Sequence, residues 1–197
     1  MKPLARDFYQ RHPAEVAPDL LGKVLVRQLD NISLQGRIVE VEAYSSDDPA
    51  SHTFRGMTER NKAMFGEGGH AYIYFIHGMH YCLNVSARLD TPAGGVLIRA
   101  LEPLEGIAVM QQLRRREKLQ DLASGPAKLT QAMSIDKALY GMDMTKKGPL
   151  FICDTESADS SHVHTGFAVK ATPRIGISRA TDVLWRFVVE GSRFISK

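Results

Sequence analysis

The chain has 197 residues, 44% of them hydrophobic and 24% charged, with a formal net charge of +3 and a pI near 8.9. Those values fit a globular protein with a real core and exclude a disordered chain, while so small a charge is compatible with a polyanionic partner without requiring one. Two cysteines, Cys82 and Cys153, with no Cys-x-x-Cys or His-Glu-x-x-His pattern, suggest neither an iron–sulfur cluster nor a protein-only zinc site.

Along the chain, Met1 to Asp7 lacks the apolar core of a secretory signal, and later apolar stretches are short and interrupted. Cytoplasmic residence without membrane association is therefore expected. A short helix is expected from Ala14 to Leu21, stopped by Gly22, and strands at Lys23 to Leu29 and Leu34 to Tyr44. The second strand contains Arg37-Ile-Val-Glu-Val-Glu-Ala-Tyr44. Alternation puts Val39, Val41 and Ala43 on one face and Ile38, Glu40, Glu42 and Tyr44 on the other. Glu is seldom buried unless paired, so Glu42 beside Tyr44 reads as a carboxylate against a ring at a pocket wall; taken alone, Glu42 would fit an ordinary half-solvated strand.

Strands at Ala71 to His77 and Tyr81 to Ser86 are expected to form a hairpin through Gly78-Met79, with Gly at the first central position of a type II′ turn. Its tip would carry His77, Met79 and His80. Tyr72 and Tyr74 share a face on one strand, and Cys82 and Asn84 share one on the other. Further strands are expected at Gly95 to Leu101, Leu150 to Asp154, His164 to Ala171 and Trp185 to Glu190, and helices at Pro103 to Arg115 and Pro126 to Met133. The cationic run Arg114 to Lys118 reads as a solvated helix end, and His162 and His164 as solvated loop residues rather than metal ligands. Most strands connect by tight turns, so the expected fold is α+β: a single domain over residues 1–197, with a mainly antiparallel curved sheet, helices packed around it and a protruding β-hairpin.

Several blocks together resemble the alkyladenine (3-methyladenine) DNA glycosylase family. They are Arg37 to Tyr44 with His52, Thr58-Glu-Arg-Asn-Lys-Ala-Met-Phe65, Tyr72 to Asn84, Val96 to Gly106, Ser124-Gly-Pro-Ala-Lys-Leu129, Pro173-Arg-Ile-Gly-Ile177 and Trp185-Arg-Phe187. In family order over nearly the whole chain, they are far more specific than a lone motif. The resemblance implies a monomeric bacterial enzyme that binds damaged duplex DNA, wedges a hairpin residue into the gap and flips an alkylated purine into a pocket for hydrolysis. It implies Glu42 as general base, Tyr44, His52 and Tyr74 as walls stacking on the flipped purine, and Asn84 as the amide that screens against guanine. Arg99 would help hold the attacking water and the DNA backbone, with the Val189 carbonyl assisting. Arg60 and Lys128 would contact phosphate, and His77, aided by Met79 and His80, would be the wedge. Well-known members carry tyrosine at the position of His77, whose imidazole is smaller and titrates near neutral pH.

The chemistry agrees with these roles. Ordinary glycoside hydrolysis uses two carboxylates, but an alkylated purine already carries positive charge and leaves neutral, so one carboxylate acting on water suffices. No metal or cofactor is needed. Lys128 reads as a packing or phosphate contact rather than a lyase nucleophile, so a monofunctional glycosylase is expected. Its substrates would be 3-methyladenine first, then 7-methylguanine, with hypoxanthine or ethenoadenine as further bases. The alternative is a non-catalytic nucleic-acid binding module of the same fold.

Overall fold

Period-two apolar runs become strands that all pair antiparallel in this computed structural model, which describes residues 1–76, 78–154 and 166–196. The elements in order are α1 (Arg6–Tyr9), α2 (Pro13–Leu20), β1 (Val24–Leu29), β2 (Ile32–Ser45), β3 (Ala71–Ile76), β4 (His80–Ser86), β5 (Gly94–Glu105), α3 (Ile107–Arg114), α4 (Pro126–Ala132), β6 (Leu150–Cys153), β7 (Val169–Thr172) and β8 (Arg186–Val189). The curled sheet runs β3-β4-β5-β2-β1-β6, and β8 pairs with both β2 and β7. The expected α+β class holds. No helix among the described residues is long and apolar enough to cross a membrane.

One face of the sheet packs on α2, α3 and α4 through Val16, Leu20, Ile38, Val41, Ala43, Leu83, Val85, Val96, Ile98, Met110, Leu129 and Met133, all essentially excluded from water. Burying one side chain of this size contributes about 1.5–3 kcal/mol. The opposite face carries Glu42, Tyr44, Tyr72, Tyr74 and Asn84. Two compensating irregularities sharpen that division. Ile38 pairs with Leu101 and Glu40 with Ala100, leaving Val39 over; Val41 then pairs with Ile98, leaving Arg99 over. Both strands change phase there, and a bulge re-aims the side chains around it. Ile38 therefore joins the core, contrary to simple alternation, whereas Val39 packs with Ala100 and Phe194 on the other side.

Four other expectations need correction. Pro103 to Glu105 continue β5 instead of starting a helix, because Gly106 at φ 74° breaks the chain direction and α3 begins only at Ile107. Pro103 is tolerated next to the register shift at Gln35/Gly36, where ladder bonding is already interrupted. At the hairpin, Ile76 pairs with His80 and the Met79 N–H reaches the Ile76 carbonyl at 3.2 Å, so Gly78 (φ 69°) and Met79 do not form the expected two-residue turn. Among the described residues only β1–β2 and β3–β4 are joined by tight turns. The long β2–β3 connection instead carries Asp48, His52 and Arg60. The expected role of His77, His162 and the first residues of the strand expected from His164 lie outside the described residues; within them Gly166 to Ala168 are not strand, and β7 begins only at Val169.

Candidate active site

Cross-strand register brings residues distant in sequence into one row. Tyr72 on β3 pairs with Asn84 on β4, Asn84 with Leu97 on β5, Leu97 with Glu42 on β2, and Glu42 with Arg186 on β8. Adjacent strands lie roughly 4.8 Å apart, which puts Glu42 about 10 Å from Asn84 with Leu97 as the floor between them. Two residues along β2, Tyr44 faces Gly95, where an added Cβ would come within 2.9 Å of the Val85 carbonyl. Only glycine lets the strands close at that point.

Glu42 is wholly buried, so it is not the half-solvated carboxylate that its strand alone would suggest. The Tyr44 hydroxyl donates to its Oε2 at 2.8 Å, Arg99 Nη1 to the same oxygen at 3.1 Å, and the Ile175 backbone N–H to Oε1 at 2.8 Å. An ionised carboxylate has about four acceptor positions, so one remains, on Oε1. Burial first, and the Glu42 charge second, push the Tyr44 phenol well above the usual tyrosine range, which keeps it protonated and donating.

Glu40 is a second buried carboxylate on the same side, a role that its place two residues before Glu42 could have signalled. The Arg99 Nε donates to it at 2.9 Å, the Arg186 Nε at 2.7 Å, the Ser196 N–H at 2.5 Å and the Ser196 hydroxyl at 2.7 Å. Burial alone would raise the Glu40 pKa. The Ser196 bonds, Arg186 and the Arg99 charge outweigh it and hold the group below the ordinary Glu value. Arg99 is also buried: desolvation works against its charge, but Glu42 and Glu40 more than compensate and raise its pKa. Its Nη2 donates to the Ser196 hydroxyl at 3.3 Å. Three of its five N–H donors are thus directed at internal partners. The Val189 carbonyl accepts the Ser192 N–H at 3.2 Å.

The rings gather opposite this charge cluster. His52 meets the Tyr74 ring edge-on, centroids 4.7 Å apart, and shares a hydrogen bond of 2.9 Å between Nδ1 and the Tyr72 hydroxyl. Loss of water on that side and then the Arg60 charge lower the His52 pKa, so the imidazole is neutral at pH 7. Burial pushes the Tyr72 phenol up to about 12 and the Tyr74 phenol beyond the usual range. His52 keeps its position through Asn61, whose side-chain amide donates to the His52 carbonyl at 2.8 Å and the Gly56 carbonyl at 3.0 Å. Asn84 is buried and its Nδ2 donates to the Tyr72 carbonyl at 3.1 Å, which fixes the orientation of the amide.

Of the basic residues and the described hairpin-tip residues, only Arg60 reaches this cluster. Arg60 is exposed with its guanidinium 5.3 Å above the Tyr74 ring, at the edge of the site. Lys128 is exposed on α4 beside Ser124, apart from the row. Met79, 69% exposed, and the half-buried His80 stand at the end of the β3–β4 hairpin. Besides Glu40, reading the sequence missed Asp48, Arg174, Arg186 and Ser196. Arg174 and Arg186 lie within motif blocks, but nothing local marks what they touch.

The family model described as methylpurine-DNA glycosylase (MPG) matches residues 7–193. A relative from Carboxydothermus hydrogenoformans is 45% identical over 194 residues, covering 98% of each chain. Another, from Methanocella arvoryzae, is 48% identical over 205 residues, covering 100% of this chain and 97% of its own. A third, from Chlorobaculum tepidum, is 46% identical over 199 residues, covering 100% and 92%. All three are provisionally named 3-methyladenine DNA glycosylases.

Proposed function

The chain belongs to the methylpurine-DNA glycosylase family, and from that premise we propose that it excises alkylated purines from duplex DNA by hydrolysis at Glu42. The observation that carries this reading is the buried Glu42 carboxylate, held by three donors with one acceptor position left. That position suits the O–H of a water. As the water oxygen bonds to the sugar C1′, the C1′–N bond breaks with its electron pair going to the base, and Glu42 takes the proton. A 3-methyladenine or 7-methylguanine arrives cationic and leaves neutral, so no second carboxylate needs to protonate it. Glu40, engaged by two arginines and Ser196, acts instead by orienting Arg99.

In this reading the flipped base lies over Leu97 between Tyr44 on one side and His52 and Tyr74 on the other. A neutral His52 favours a cationic purine, which a charged imidazole would repel. Asn84, its amide orientation set by the Tyr72 carbonyl, crowds the exocyclic amino group of guanine, normal or 7-methylated, and only the weaker glycosidic bond of the cationic 7-methylguanine lets that base leave. Met79 and His80 flank the gap left in the duplex, the enzyme acts as a cytoplasmic single-domain monomer, and the abasic product is left uncleaved. The test is a panel of duplexes, each with one modified purine, scored for abasic sites. Abasic sites are expected from 3-methyladenine fastest, then 7-methylguanine, with hypoxanthine and ethenoadenine slower. Strand cleavage in step with base loss, or no base loss from any duplex, contradicts the reading.

DNA binding is expected to depend on exposed Arg60 and Lys128, not on buried Arg99. Each lost phosphate contact flattens the log affinity against log salt slope by about one unit. Titrations of lesion duplex at several salt concentrations check this. Arg60→Ala and Lys128→Ala should each flatten the slope, and a variant that leaves it unchanged does not lack a phosphate contact.

A further inference from the structure

The segment from Arg174 to Trp185 clasps β2 at the residues that carry the chemistry. Ala43, between Glu42 and Tyr44, donates its N–H to the Trp185 carbonyl at 2.8 Å and accepts from Arg174 Nη1 at 3.0 Å. The next residue, Ile175, supplies the N–H that holds Glu42 Oε1 at 2.8 Å. The Arg174 guanidinium lies 4.7 Å from the Tyr44 ring and 5.5 Å from the Trp185 ring, and both its terminal nitrogens reach the Asp48 carboxylate, Nη2 at 3.1 Å. The Arg174 side chain is fully buried and that of Asp48 nearly so.

We propose that Arg174, locked by Asp48, is a positioning residue that seats the Tyr44 ring and aims the Ile175 N–H at the Glu42 carboxylate. The inference rests on Glu42 being the base. An ion pair this deep returns little net stability, because desolvation of both charges offsets their attraction. What it supplies here is geometry. The planar guanidinium lies against both rings and reaches Asp48 and the Ala43 carbonyl at once, which the point charge of a lysine cannot do. A shift of Ile175 turns the carboxylate away from its water, and a shift of Tyr44 tilts the surface on which the base stacks. Misplacement by about 1 Å costs up to the order of 10²-fold in rate.

The test compares wild type, Arg174→Lys, Asp48→Asn, the double variant and Glu42→Gln. Each is assayed for single-turnover excision from a 3-methyladenine duplex, affinity for that duplex and emission of Trp185, the chain's only tryptophan. Arg174→Lys should lower the excision rate roughly 10- to 10²-fold with affinity nearly unchanged. Its Trp185 emission should shift, because the guanidinium no longer covers the indole. Asp48→Asn should move rate and emission the same way, and the double variant should be no slower than Arg174→Lys alone. An excision rate in Arg174→Lys or Asp48→Asn equal to wild type overturns the inference, as do additive losses in the double variant. A loss that disappears once corrected for unfolded protein assigns the pair to stability alone and also overturns it. The Glu42 reading fails separately, if wild type releases no base or Glu42→Gln stays active.

Discussion

Glu42→Gln is expected to retain binding to a lesion duplex while single-turnover excision falls by at least about 10²-fold, the usual scale for loss of a general base. The isosteric amide keeps the shape of the site but cannot accept a proton from water at pH 7. It also cannot satisfy every neighbour. Arg99 and the Ile175 N–H approach opposite oxygens of the carboxylate, so whichever way the amide turns, its NH2 faces a donor. That conflict costs about 1–3 kcal/mol of stability, visible as a lower unfolding midpoint. Rate must therefore be expressed per folded molecule, with lesion affinity as the internal gauge. Tyr44→Phe is the companion variant, since it removes the hydroxyl donor to Oε2 while leaving both the ring and the carboxylate. Excision by Glu42→Gln near the wild-type rate would move the role of base to another group.

Much of this site is legible from strand periodicity alone. Glu40, Glu42 and Tyr44 on one face of β2, and Tyr72 and Tyr74 against Cys82 and Asn84 across the hairpin, follow from alternation and pairing. Alternation fails at Ile38, because a bulge costs one residue of phase and has no signature in Val39 or Glu40 themselves. It also cannot show the role of Arg99. A guanidinium in a glycosylase motif reads naturally as a phosphate contact, and only the burial of two carboxylates beside it redirects the charge inward. Asp48 and Arg174 are 126 residues apart, and Glu40 and Ser196 are 156 apart. Pairs so distant come together through tertiary packing, here because β8 adds to the edge of β2 and carries the segments before and after it to the same place. α3 starts later than its sequence suggests for a local reason: Pro103 resembles a helix N1 residue, whereas Gly106 sets the boundary.

The charge network predicts a larger effect on stability than on any single contact. Arg99→Met keeps an unbranched stem in the same space but leaves Glu40 and Glu42 without the cation between them. Removing one partner from a buried ion pair costs about 3–5 kcal/mol, because the remaining charge is stranded. The loss should depend on pH. In wild type the folded-state pKa of Glu40 lies below its ordinary value, so its contribution is fully present above the unfolded pKa, near 4.3, and is lost as pH falls through the lower folded value. In Arg99→Met one of the lowering influences is gone and two buried carboxylates face each other. One of the pair then binds a proton more readily than in the unfolded chain, so protonation relieves the variant at a pH where the wild type still keeps most of its Glu40 contribution. Urea unfolding at pH 8 and at pH 4.5 should show a gap of several kcal/mol at the higher pH that narrows at the lower. Arg186 still donates to Glu40, so Glu40→Gln added to Arg99→Met should recover part of the stability at pH 8 by removing one stranded charge. A gap of equal size at both pH values would mean that Arg99 stabilises the fold through its packing, with the carboxylates held by other means.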